Sequence, residues 1–218
     1  MYDRNRNDVR SKLRVNVGCG ATPTPGWTNF DNSLTIVLAK LPFAPAFLGP
    51  TRRAFVAEVR RGSVRRAQAT LLPIADGSAE VLYSSHMLEH LTRPNARRFL
   101  AEGKRVLSPG GVLRLAVPDL RIQVERYLRV GDADAFVDGT RLAADHSTTA
   151  LARLRLFVAG VREHVWMYDA QSLSRLVASV GFSDVAVVPP GETRISDAAP
   201  LNLREREDES LYVEATNP

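Results

Sequence analysis

Lysine is almost missing from this chain: Lys12, Lys40 and Lys104 stand against 29 basic residues in all, the rest being arginine. Such a bias follows genomic base composition as readily as function, so the net charge of +5 does not by itself name a partner. Cysteine is scarcer still. A lone Cys19 excludes a disulfide within the chain and leaves too few thiolates for a structural zinc. A reducing, cytoplasmic setting is the expectation. No run of about 18 uncharged apolar residues occurs, which excludes a spanning helix. Residues 1–14 are polar and charged without the apolar stretch of a signal peptide, so secretion is not expected. No internal repeat or low-complexity tract is found. What remains is a hydrophobic content of 44% with 24% charged residues, ordinary for a globular chain. Its 218 residues predict one domain carrying an insertion.

Residues 1–12 read as an N-terminal arm. A short β-run over 13–17 is broken by Gly18-Cys19-Gly20 and a turn containing Pro23 and Pro25, and residues 27–31 form a second strand. From 34 to 68 the pattern changes. Pro42, Pro45, Gly49 and Pro50 interrupt an apolar run, and an arginine-rich helix follows with Phe55, Val56 and Val59 on one face. This variable segment reads as a connector, a lid, a dimer contact or a membrane-facing flap. Its Arg52, Arg53, Arg60, Arg61, Arg65 and Arg66 form either a solvated helix face or a patch for phosphates, a membrane surface or an anionic substrate. Further on, the pattern predicts a strand over 81–85, a helix over 95–107 stopped by Pro109-Gly110-Gly111, and a buried strand over 112–117. Residues 120–168 are mainly helical and too long for a simple connection. A helix over 171–180 and strands over 185–188 and 211–214 complete an α/β pattern with a largely parallel sheet covered on both faces.

The chemistry-bearing residues fall at strand ends. Gly18 and Gly20 let the backbone turn sharply against a ligand where an α/β sheet binds one. Asp31 closes the next strand, where a carboxylate can accept both hydroxyls of a ribose. Taken together, VNVGCG (15–20), GWTNFD (26–31), LLPIADGSAEVLYSSHMLEHL (71–91), RVLSPGGVLRLAVPDL (105–120) and HVWMYD with Gly181-Phe182 resemble class I S-adenosylmethionine-dependent methyltransferases. The resemblance is to a bacterial branch associated with polysaccharide biosynthesis, and it covers most of residues 13–120 and 163–188. It implies a Rossmann-like seven-stranded sheet with helices on both faces and an α-helical insertion at roughly 120–168. It also implies S-adenosylmethionine as the methyl donor. The loop Gly18, Cys19 and Gly20 would cradle the methionine part and Asp31 the ribose. Gln68, Thr70 and Leu71 would flank the adenine, and Ser85 and His86 would lie near the reactive sulfonium. Three positions depart from the common pattern: Asn16 for an acid, Thr22 for a third glycine, and Gln68 for an adenine-binding Asp. A nicotinamide-binding domain would need GxGxxG, and GCGATP does not supply it.

Methyl transfer to a hydroxyl needs a base, and chain order yields a short list: His146, His164, and His86, Glu89 and His90 after the fourth strand. His146 leads, with Asp145 orienting it, and His164 is second. Glu89 and His90, within LEHL, read as architectural. Asp119, Asp145, His146 and Asp169 could supply ligands to a divalent ion, although their spacing is not a metal signature. Tyr127, Trp166 and Tyr168 either stack on a planar acceptor or pack within the insertion. The implied acceptor is a small saccharide hydroxyl, a mannoside of polysaccharide biosynthesis among the candidates. A lipid, quinone or polyketide acceptor is the alternative, with the apolar stretch 41–48 lining its route. A nucleic-acid substrate is disfavoured because no Asn-Pro-Pro-Tyr motif or RNA-binding appendage is present. A homodimer is compatible with the sequence, and a non-catalytic cofactor-binding scaffold is the reading from outside enzymology.

Overall fold

Val15 and Val17, alternating with Arg14 and Asn16, make strand β1 (Leu13–Val17), and the sheet grows outward from it in both directions. The computed structural model describes residues 13–39, 50–142 and 163–218. The other strands are β2 (Thr28–Asp31), β3 (Val64–Arg66), β4 (Ala79–Ser85), β5 (Leu107–Pro118), β6 (Ser183–Val187) and β7 (Ser210–Thr216). They form one seven-stranded sheet in the order β3-β2-β1-β4-β5-β7-β6. Strands β1 to β5 pair in parallel, and β7 runs antiparallel to both β5 and β6. This is the Rossmann-like arrangement the resemblance implied. Its strand order reverses between β1 and β4, so the carboxyl ends of those two strands open on a crevice.

Six α-helices accompany the sheet among the described residues: α1 (Leu34–Leu38), α2 (Pro50–Arg60), α3 (Arg93–Val106), α4 (Leu120–Val130), α5 (Ala133–Thr140) and α6 (Ala170–Ser179). In α3 the residues Ala96, Phe99, Leu100, Gly103 and Val106 recur at helical spacing and are buried, while Arg97 and Arg98 face solvent. That stripe joins Leu173, Leu176 and Val177 of α6 over Val15, Leu82, Leu113 and Leu115, which forms the main core. Each large apolar side chain buried there stabilises the fold by roughly 1.5–3 kcal/mol. The two-residue period of β4 sends Val81 and Tyr83 to the opposite face, where Trp27, Ile195 and Leu201 meet them. An irregular stretch within 188–209, not a helix, thus covers that part of the sheet. A third cluster, Cys19, Ile36, Phe55 and Val64, packs α1 and α2 beside β3.

Three expectations change. The arginine-rich helix ends at Arg60, after which Gly62 (φ +79°) turns the chain into β3, so Arg65 and Arg66 belong to a strand. The helix pattern hid β3 because only Val64 of its three residues is buried. Segment 34–68 thereby contributes a sheet strand and is more than a connector. Pro109-Gly110-Gly111 lies within β5: pairing with β4 steps from Ala79–Leu107 to Val81–Val112, and the turn is looped out between. The insertion contains α4, capped at its end by Gly131 in the left-handed region (φ 75°), and α5. The expected arm at 1–12, the apolar stretch 41–48, Asp145 and His146 lie outside the described residues.

Candidate active site

The loop after β1 is held by polar side chains whose partners lie close in sequence. The Asn29 Nδ2 donates to the Thr24 and Trp27 carbonyls at 3.0 Å each, and its Oδ1 accepts from the Thr24 amide at 2.8 Å. Asn16 Nδ2 donates to Thr24 Oγ1 at 3.1 Å, and the Thr22 amide and hydroxyl both bond to the Cys19 carbonyl. Asn16 and Thr22, two of the departures from the common pattern, are therefore members of the network that shapes this loop. Gly18 turns the chain with φ +75°, and a Cβ there would stand 2.4 Å from Met87 Cγ. Asp31 closes the arrangement: its Oδ2 accepts from the Gly20 amide at 3.0 Å and its Oδ1 from the Ser33 amide at 2.6 Å.

A cavity of about 610 Å³ opens at these strand ends. Of the residues expected to hold a cofactor, Gly18, Gly20, Asp31, Gln68, Thr70 and His86 line it. Asn32, Ser33, Phe55, Met87, His90 and Asn95 line it too, although no glycine or strand-end signal singled them out. Cys19 is buried behind the loop against Phe55, and burial, reinforced by the Asp31 charge, pushes its thiol far above the ordinary range. Leu71 points to solvent with 71% of its surface exposed. Ser85 is not among the lining residues, and its buried Oγ lacks a hydrogen-bond partner among the described residues.

An adenosyl cofactor fits this geometry on three grounds: volume, a backbone turn stripped of Cβ atoms, and a carboxylate at the end of β2. Gln68 sits in a tight turn bridged to Leu71, which sets its side chain on the wall next to Ala69 and Thr70.

His86 adopts φ 47°, uncommon for a residue with a side chain, and its Nε2 lies 2.9 Å from Ser210 Oγ. The turn after it, a 3₁₀ helix over Leu88–His90, buries Glu89 to 1% exposure. The Glu89 carbonyl accepts from the Val165 and Trp166 amides at 2.7 and 3.1 Å, which docks the segment before α6 onto this turn. His164 comes with it. Its Nδ1 lies 2.8 Å from the Thr140 carbonyl, its ring packs edge-on to His90 at 5.1 Å, and burial pulls the imidazole below its ordinary pKa while Glu89 pulls it upward. His164 Nε2 faces Glu89 and the residue is not part of the cavity wall.

The expected metal ligands Asp119 and Asp169 serve as helix N-caps instead. Asp119 accepts from the Arg121 amide at the start of α4, and Asp169 forms a capping box with Ser172 at the start of α6. Burial raises the Asp119 carboxyl, and the Ser172 amide lowers that of Asp169. Tyr168 is fully buried, Trp166 is half-exposed beneath Arg93, and Tyr127 packs on Phe136 inside the insertion. In the arginine patch, Arg60 donates to the Ala39 carbonyl, Arg61 pairs with Glu58, and Arg65 lies over the Phe30 ring.

Residues 15–115 match the family described as methyltransferase domain, a stretch that runs from β1 into β5 and carries the whole cavity wall. An uncharacterised methyltransferase of Mycolicibacterium gilvum (strain PYR-GCK) is 44% identical over 57 residues, which is 26% of this chain and 22% of that protein. The matched stretch thus spans less than a quarter of that relative's length. Among solved structures, a possible histamine N-methyltransferase of Thermotoga maritima superposes with a TM-score of 0.51 and 16% identity, covering 94% of this chain and 82% of that one. A chain of the complex between the Haloferax volcanii Trm112 methyltransferase activator and the putative methyltransferase superposes with a TM-score of 0.50 and 12% identity, covering 95% and 82%. At such identities the likeness is one of fold.

Proposed function

We propose that this methyltransferase domain is an active enzyme that moves the methyl group of S-adenosylmethionine to an oxygen acceptor, a hydroxyl of a small saccharide such as a short mannoside. One observation carries the donor half of the reading: Asp31, Gly18 and Gly20 converge on one cavity at the point where the strand order reverses. In this reading Gly18 and Gly20 receive the methionine part, Asp31 receives the ribose hydroxyls, and Gln68 and Thr70 border the adenine. The acceptor half is carried by the motif resemblance alone.

The donor's sulfonium supplies an already activated methyl group. What the chain supplies is alignment: a carboxylate and a tight loop hold the donor so that one face of its methyl group meets the acceptor. An acceptor hydroxyl must also lose a proton. We assign that proton to His146, oriented by Asp145, with His164 second; His164 lies outside the cavity wall with its Nε2 3.9 Å from Glu89 Oε1, which counts against it. A nucleic-acid partner is not favoured in this reading, and Arg60, Arg61 and Arg65 each have a partner within the chain.

Calorimetric titration with S-adenosylhomocysteine, beside Asp31→Ala, tests the donor site. Micromolar binding that weakens at least about tenfold, or about 1.4 kcal/mol, in the variant is expected. Binding by neither protein overturns the reading. Incubating the purified chain with labelled S-adenosylmethionine and methylated mannosides tests the acceptor. Transfer to lipid or quinone acceptors only would replace the saccharide, and binding without any turnover would favour the scaffold.

A further inference from the structure

The geometry points to a divalent transition-metal site formed by Glu89, His90 and His164, at the edge of the candidate active site. One ligand atom from each of the three lies within 4.8 Å of the other two. The Glu89 carboxylate is 1% exposed, neither of its oxygens has a hydrogen-bond partner among the described residues, and the further imidazole beside it, His86, brings Nδ1 to 3.5 Å from Oε1 with Arg206 Nη1 3.4 Å from that same nitrogen. A buried carboxylate in that state is costly unless a positive charge faces it.

The two histidines are set to let a cation be that charge. His90 Nδ1 lies 2.8 Å from the Glu163 carbonyl and His164 Nδ1 lies 2.8 Å from the Thr140 carbonyl. A carbonyl only accepts, so each Nδ1 carries a proton, and the neutral form of each ring then has its lone pair at Nε2. Both Nε2 atoms face Glu89 Oε1, each at 3.9 Å. Two lone pairs and a carboxylate oxygen cannot hydrogen-bond one another. They can all donate to one ion placed between them. The carbonyl bonds at Nδ1 are the outer-shell contacts that orient metal-bound histidines and raise their basicity. Ligand atoms around a tetrahedral zinc stand about 3.3 Å apart, so the two Glu89–imidazole separations need to close by about half an ångström and the His90–His164 separation, which lies within 4.8 Å, by at most about 1.5 Å.

Two imidazoles and one carboxylate suit zinc, manganese, iron or cobalt, and a three-ligand set leaves positions for water or substrate. Of the three residues His90 alone lines the cavity, beside His86 and Met87, so the ion would sit at that edge of it. Its role there rests on the methyltransferase reading: the ion would hold an acceptor hydroxyl and ease loss of its proton. Under this assignment His164 is a ligand and leaves the list of candidate bases.

The test uses the full chain, stripped with a chelator and titrated with Co²⁺, with d–d absorption and calorimetry as readouts. One Co²⁺ per chain is expected, displaced by Zn²⁺, with affinity reduced about 100-fold in His90→Ala, as loss of a ligand should cost at least what loss of an outer-shell partner costs. His90 is only partly buried, so this variant keeps the fold, and circular dichroism with urea unfolding verifies it. Glu89→Gln, which keeps shape but removes charge, should weaken binding likewise. Absence of stoichiometric binding, or equal binding by His90→Ala, overturns the metal site. S-adenosylhomocysteine binding measured on the same samples separates that failure from failure of the methyltransferase reading.

Discussion

Arg114 and Glu214 meet at 2.6 Å directly opposite one another in the β5–β7 ladder, and neither side chain has any exposed surface. Arg114 also donates to the Glu192 and Leu203 carbonyls, and Glu214 also accepts from the Thr193 hydroxyl and the Arg194 amide. The pair therefore joins the antiparallel edge of the sheet to the irregular stretch that covers Val81 and Tyr83. Glu214→Ala would leave a buried guanidinium without its counter-charge. The expected loss is about 3–5 kcal/mol in urea unfolding. A loss below about 1 kcal/mol would mean that water replaces the carboxylate.

Gly18→Ala should abolish measurable S-adenosylhomocysteine binding while the chain still folds. Its φ of +75° disfavours a side chain, at a cost of about 1–3 kcal/mol, and the new Cβ would lie 2.4 Å from Met87 Cγ. Gly18→Ala with Met87→Ala removes the collision but not the backbone cost, so partial recovery is expected. Undiminished affinity in the single variant would show that the loop is not shaped as described.

Glu102 links the acid limb of stability to the turn before β4. Hydrogen bonds from Arg105, with a further one from the Leu72 amide at 2.6 Å, hold its carboxyl below the usual range. A depressed folded-state pKa contributes stability that is present above the unfolded value, about 4.3, and is lost as pH falls through the folded value. Urea midpoints measured from pH 7 down to pH 3 should fall less steeply below about pH 4.5 in Glu102→Gln than in the parent. Parallel curves would remove Glu102 from the acid transition.

His146→Ala is expected to retain S-adenosylhomocysteine affinity and lose about 10²–10⁴-fold in kcat, the range typical of a removed general base. Steady-state kinetics with the identified acceptor, beside Asp145→Asn, provide the measurement. Turnover within about threefold of the parent would move the base elsewhere.

The chain's order of strands and helices was legible from short-range signals. Five-residue alternation marks β1, Gly181 marks the end of α6, and Pro118 stops β5. These signals act between neighbours, so one sequence suffices to read them. Gly18, Gly20 and Asp31 were legible for the same reason, each being set at the end of a strand by local geometry. β3 was not: with one buried residue in three, it is a strand only because β2 offers its edge. Nor was the partnership of Glu89 and His90 with His164, which the sequence separates by more than seventy residues. Thr140 and Glu163 carbonyls orient those rings, and Val165 and Trp166 tie that segment to the Glu89 backbone. Periodicity carries no information about such contacts. Local chemistry determines which segments are strands, turns and helices; only packing decides which distant lone pairs come to face one buried carboxylate.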